Sequence, residues 1–243
     1  SNVLNSWDTS RVTDMSYMFY DALVFNQRIG AWDTTRVKTM QGMFMGARAF
    51  NQSIGAWDTS SVTDMRGMFS GARSFNQSVG DWDTSRVTTM SGMFDAARTF
   101  NHPVNGWDTS SVRDMSFLFN EAGAFNQPVG GWDTSRVKTM HGMFMDARAF
   151  NHPISEWNVS RVEDMSAMFA RAYSFGQDLS AWVTRLPNNV EIDRSTHELI
   201  SDPRFAAAAF RARRYRLHSE ANAIDPVLLD RVNLRDAVVL AGD

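Results

Sequence analysis

The sequence predicts an α/β solenoid of seven 25-residue coils, each a short strand, a helix and an extended return, closed by a helical carboxyl-terminal cap. Three observations carry this expectation. All eight tryptophans recur at one spacing: Trp7, Trp32, Trp57, Trp82, Trp107, Trp132, Trp157 and Trp182. All fifteen methionines lie between Met15 and Met168, inside that periodic region. Beyond Trp182 the periodicity stops. A unit of this size cannot bury its own apolar face, so neighbouring units must stack. Residues 1–182 are therefore assigned to the solenoid, with seven full repeats over 7–181, and residues 183–243 to the cap. Leu4 falls in the column of Ile29, Ile54 and Val79, so the series begins inside a unit. An uncapped first coil is expected, with the native chain continuing upstream.

Within one unit, Met40, Met43, Phe44 and Ala47 fall at i, i+3, i+4 and i+7, the spacing of one helix face. The position before Met40 alternates along the chain: Asp14, Thr39, Asp64, Thr89, Asp114, Thr139, Asp164. Both residue types accept the hydrogen bond of a helix N-cap. Asn26, Asn51, Asn76, Asn101, Asn126 and Asn151, then Gly176, suit the left-handed residue that ends a helix. A helix is thus expected over Met40–Phe50, with Arg48, Arg73, Arg98 and Arg148 in the last turns, where the dipole favours cations. Ile54, Trp57 and Val62 stand among turn formers, which suits a strand near Ser60–Thr63 and an irregular return. Stacked strands lie about 4.8 Å apart. On such rungs the Asp/Thr alternation keeps carboxylates from facing each other.

In the third unit, Trp57, Asp58, Thr59, Ser60, Val62, Asp64, Met65, Met68, Phe69, Ala72, Phe75, Asn76 and Val79 form a signature. It resembles the repeat of BspA-like surface proteins, the mycoplasma-lipoprotein-type leucine-rich-repeat family. The resemblance implies a solenoid of leucine-rich-repeat type, a cell-surface or extracellular location and an interaction role, with no catalytic residues to carry over. No lipoprotein cysteine, wall-sorting motif or leader accompanies it in this chain.

The tail is different in kind. "SDPRFAAAAFRARRYRLHSEA" reads as one helix, with Asp202 near its cap, and "DPVLLDRVNLRDAVVL" as a second. The expected role is a cap over the last coil. The dense run Arg211, Arg213, Arg214 and Arg216 leaves docking of a partner as the alternative. Acids in the same segment dilute the field and disfavour nucleic acid.

Composition narrows the function classes. A net charge of −3 argues against a polyanion-binding domain. The chain has no cysteine, so it has no disulfide framework, thiolate metal site or thiol nucleophile. No apolar run approaches the ~20 residues of a membrane span. No phosphate loop, Ser-His-Asp arrangement or metal-spaced histidine pair stands out, and no enzyme, cofactor or metal is expected. The Asp8 to Asp133 column could line up carboxylates for calcium, but Asn158 replaces Asp in the seventh unit. An Asx turn is therefore the favoured reading. The Thr9 to Thr134 column could present hydroxyls to ice or a mineral, but corner hydroxyls usually bond to backbone. The Met, Phe and Trp columns are expected inside, each indole N–H needing a partner.

What varies within the frame is the better guide to function. Arg11, Arg36, Arg86, Arg136 and Arg161 precede the valine column, and Lys38, Arg113 and Lys138 follow it. Flanking the expected strand, they form a basic stripe for a protein or an acidic glycan. The expected function is a non-enzymatic binding or adhesion module. The alternatives are a structural spacer or subunit of a larger assembly, and a Thr array for ice or mineral.

Overall fold

A computed structural model describes residues 3–193, Thr196 and Ile200. The repeats stack in parallel: single-residue bridges join Asp14 to Thr39, Thr39 to Asp64, and so on to Asp164 and Glu191. The internal architecture of each coil corrects the α/β expectation. Between residues 3 and 193 there is no α-helix and no extended strand. The helical elements described there are short 3-10 turns at Val3–Ser6 and Ser180–Trp182.

The segment expected as a helix is a string of four-residue turns. Met43 N donates to Met40 O at 3.1 Å, Met45 N to Gly42 O at 3.0 Å, and Ala47 N to Phe44 O at 3.0 Å. The alternate N–H groups point sideways into the next coil. Met40 N donates to Asp64 O, Gly42 N to Arg66 O, Phe44 N to Met68 O and Gly46 N to Ser70 O, at 2.7–3.0 Å. In an α-helix over Met40–Phe50, Phe44 N and Gly46 N would bond their own carbonyls four residues back, and Met40 N and Gly42 N would be left to a cap. The third residue of the first and last of these turns is left-handed: φ is +58° at Gly42 and +75° at Gly46. This is the geometry that type II turns require at that position. Consecutive turns of this kind also bring every third or fourth side chain to one side. Met40, Met43, Phe44, Ala47 and Phe50 are consequently all buried, as they would have been on a helix face.

The presumed caps have other roles. Asp64 Oδ1 accepts from Arg66 N at 3.0 Å and Thr39 Oγ1 from Gln41 N at 3.2 Å, so these oxygens do take a backbone N–H, but at the bridge residue of a turn. The strand expected at Ser60–Thr63 reduces to the single bridge at Asp64. From Asp14 to Asp164 successive bridge residues alternate Asp and Thr, so no two carboxylates share neighbouring rungs until the last bridge, Asp164 to Glu191. The asparagines are not left-handed helix ends. Asn26 Oδ1 accepts from Asn51 N, Asn51 Oδ1 from Asn76 N, and so on to Gly176 N, at 2.9–3.1 Å, a ladder that ties coil to coil. Arg48 and its equivalents follow a turn and have no helix dipole to answer.

The core is a set of aromatic columns. Phe44 and Phe50 stack at 3.9 Å within a coil, and Phe44 and Phe69 at 5.6 Å between coils. Trp32 and Trp57 lie 6.4 Å apart and almost parallel. Trp57 Nε1 donates to Ile29 O at 3.2 Å, and Trp82, Trp107, Trp132 and Trp157 repeat the contact one coil on, which satisfies the buried indoles. Among the described residues nothing packs on the outer side of the first coil. Trp7 is 52% exposed, where Trp32 and the later tryptophans of its column are at most 4% exposed.

The expected helical cap is not part of the described architecture. Residues 183–193 form turns and the last bridge, and Thr196 and Ile200 are buried. The two helices expected in the tail, with Arg211, Arg213, Arg214 and Arg216, lie outside the described residues.

Candidate functional site

The turn from Thr34 to Val37, closed by Val37 N on Thr34 O at 2.9 Å, points Val37 inward and its neighbours out. The same turn recurs in every coil. All eight basic residues of the expected stripe, Arg11, Arg36, Lys38, Arg86, Arg113, Arg136, Lys138 and Arg161, are exposed. They fall in two columns beside the bridge residues. Stacking brings Lys38, Arg113 and Lys138 into register with Thr63 and Thr88, because Thr63 N donates to Lys38 O at 2.9 Å and Lys138 N to Arg113 O at 2.8 Å.

The stripe is not uniformly positive. Lys138 Nζ pairs with Glu163 Oε1 at 2.7 Å, both well exposed. The Asp column runs close by. Hydrogen bonds from Thr35 hold the Asp33 carboxyl below its usual range, and the Arg36 guanidinium adds a smaller pull. Ser85 and then Arg86 act in the same direction on Asp83, and Ser135 and then Arg136 on Asp133. Each carboxylate in this column serves an Asx turn. Asp58 Oδ1 accepts from Ser60 N at 2.9 Å, and Asn158 Oδ1 makes the same contact to Ser160 N at 3.0 Å. The carboxylates are committed to backbone, and among the described residues no group of three His, Asp or Glu is placed to hold a metal ion.

The threonine column faces inward. Thr34, Thr59, Thr84, Thr109 and Thr134 are 1% exposed, and each hydroxyl donates to a backbone carbonyl of the next coil at 2.9–3.0 Å. It presents no hydroxyl surface to solvent.

The histidines serve the stack. His102 and His152 each bond through Nε2 to a backbone carbonyl one coil back, Asn76 O and Asn126 O, at 3.0 Å. His141 finds partners that the sequence did not reveal: its Nδ1 lies 2.7 Å from Ser166 Oγ and 3.4 Å from Asp164 Oδ2. Ser166 in turn donates to Asp164 Oδ1, as Ser116 does to Asp114. The serine proton goes to the aspartate and not to the imidazole, so the cluster extends the ladder and lacks the order of a nucleophilic triad.

Sequence reasoning also missed a polar column inside the turn string. Asp95 Oδ1 accepts from Asn120 Nδ2 at 2.7 Å, and Asn120 Oδ1 is buried without a partner. Burial pushes the Asp95 carboxyl up, against the hydrogen bond from Asn120. The signal was the substitution of Asp and Asn into positions where Met45 and Met145 stand in other coils.

A parallel stack of near-identical 25-residue coils defines a tandem-repeat protein, with a fixed interior and a variable surface. The family described as "Mycoplasma protein of unknown function, DUF285" matches residues 1–107 and 97–195, and the chain belongs to that family. No curated protein and no solved structure matches the chain. No helix among the described residues is long and apolar enough to cross a membrane.

Proposed function

We propose that the protein is a non-enzymatic binding module that engages a protein or an acidic glycan through its two exposed basic columns. The observation that supports this most is the division of labour between columns. The constant Trp, Met, Phe, Thr and Asn residues are used up in core contacts and inter-coil hydrogen bonds, while Arg11, Arg36, Lys38, Arg86, Arg113, Arg136, Lys138 and Arg161 are held at rung spacing on the outside. A rigid ladder pre-organises such charges and lowers the ordering cost of binding an extended ligand. The nearby Asp column moderates the field and favours a ligand with spaced charges over a uniform polyanion. The resemblance to BspA-like proteins supports a place at the cell surface and a role in adhesion.

The test is capture of partners by the full chain and by Arg36→Glu combined with Arg136→Glu. The reversal is expected to weaken binding by at least about tenfold, since it turns attraction into repulsion at two rungs. Melting should shift little, because both side chains are exposed. Unchanged binding by the variant places the site elsewhere. A chain that captures nothing under any condition favours the structural spacer.

A further inference from the structure

A second charged column lies on another part of each coil, in and after the last turn of the string. Its members are Arg48, Arg73, Arg98 and Arg148. Beside it runs the left-handed turn column of Asp21, Gly46, Gly71, Ala96, Glu121 and Asp146. In the later coils the two columns neutralise each other. Arg98 Nη2 lies 3.1 Å from Glu121 Oε2 on the next coil. Asp146, almost fully buried, accepts from Arg171 Nε at 2.8 Å and from its Nη2, with Arg148 Nη2 at 3.7 Å.

In the earlier coils the acid is missing. The residues that stand to Arg48 and Arg73 as Glu121 stands to Arg98 are Gly71 and Ala96. Both arginines are exposed, and neither has an ion pair among the described residues. A groove of about 210 Å³ lies there, lined by Arg48, Gly71, Arg73 and Ala96, with Tyr20 and Asp21 at its amino-terminal end. A side chain added at Gly71 would first meet the Gly46 backbone at 3.5 Å, ordinary contact distance, so the space above the glycine is open. Among the lining residues two guanidinia stand against one carboxylate, that of Asp21, while the Asp95 carboxyl lies behind the lining Ser70, 3.5 Å from its Oγ, and is held by Asn120 Nδ2 at 2.7 Å.

We propose that this groove binds an acidic peptide segment, whose Glu or Asp carboxylates sit over Gly71 and Ala96 against Arg48 and Arg73. The fold itself displays the occupant: two coils on, an amino-acid carboxylate fills the same columns. A peptide is preferred to a sulfated glycan on that ground. The site uses different columns from the outer basic stripe and does not depend on it.

The decisive variant is Ala96→Glu. Ala96 has φ of +53° and Glu121 +51°, so a glutamate enters a backbone conformation that glutamate already adopts one coil later. It should neutralise Arg73 from within and fill the groove. Fluorescein-labelled hexaglutamate, followed by anisotropy at low salt, is expected to bind the full chain. Ala96→Glu and Arg73→Gln should each weaken binding about fivefold, the upper range for an exposed ion pair. Arg98→Gln, whose arginine is already paired, should stay within about twofold. Arg36→Glu with Arg136→Glu should leave hexaglutamate binding intact, which separates this site from the stripe. If Ala96→Glu melts early, Arg73→Gln carries the test alone. The proposal is overturned if hexaglutamate does not bind, if neither groove variant weakens it, or if a sulfated oligosaccharide binds at Arg48 and Arg73 where hexaglutamate does not.

Discussion

Phe94→Ala is expected to lower stability by about 3–5 kcal/mol, the usual cost of emptying an aromatic site in a packed core. Phe94 is fully buried. Its ring stacks on Phe100 at 3.9 Å and lies between Phe69 at 5.5 Å and Phe119 at 5.7 Å, with Trp107 at 6.1 Å. Besides Phe100 in its own coil, the ring is covered by the coils on both sides, so a hole in the middle weakens two interfaces at once. Phe19→Ala is the matched control. Phe19 occupies the same column in the first coil, stacks on Phe25 and Phe44, and is only partly buried. It should cost clearly less in the same urea titration. Equal costs would mean that burial does not follow the stack.

Gly92→Ala has the next largest expected effect on stability, and its sign is diagnostic. Gly92 has φ of +60°, and a Cβ there would meet nothing nearer than Asp95 Cβ at 3.8 Å. Space is therefore no obstacle, and the effect isolates the backbone. Left-handed geometry costs an alanine roughly 1–2 kcal/mol, offset in part by the stiffer unfolded chain. A net loss of about 1 kcal/mol is expected. In a helix interior the same change would gain about 1 kcal/mol. Ala167 holds the same column at φ +57°, so the strain is bearable and the variant should fold.

Much of the frame was legible in the sequence because it rests on identity of residues at fixed spacing. Trp57, Met65, Met68, Phe69 and Phe75 had to be inside, and they are. The Asx turns at Asp58 and Asn158 followed from what the two side chains share. The helix was misread for a physical reason. Met40, Met43, Phe44 and Ala47 have a spacing that a helix and a string of four-residue turns both satisfy, so periodicity alone could not separate them. The separating signal was present: Gly42, Gly67, Gly92 and Gly142 recur in one column inside the segment, where a helix would suffer from glycine and a turn needs it. The asparagine column was misassigned because Asn serves both as a left-handed terminator and as a ladder residue. Only the next coil shows which role it plays. The basic columns of the stripe could be placed on the outside from the sequence, but the arginine groove over Gly71 depends on stacking that no single unit displays.

The central claim is that each unit gives half of its turn N–H groups to the next coil. Scalar couplings measured across hydrogen bonds in the isotopically labelled full chain test it directly. Gly92 N lies 2.7 Å from Ser116 O and Phe94 N 3.0 Å from Leu118 O. Correlations from the Gly92 amide to the Ser116 carbonyl carbon, and from the Phe94 amide to that of Leu118, are the predicted result. A correlation from the Phe94 amide to the Met90 carbonyl carbon, four residues back, would restore the helix and contradict the account.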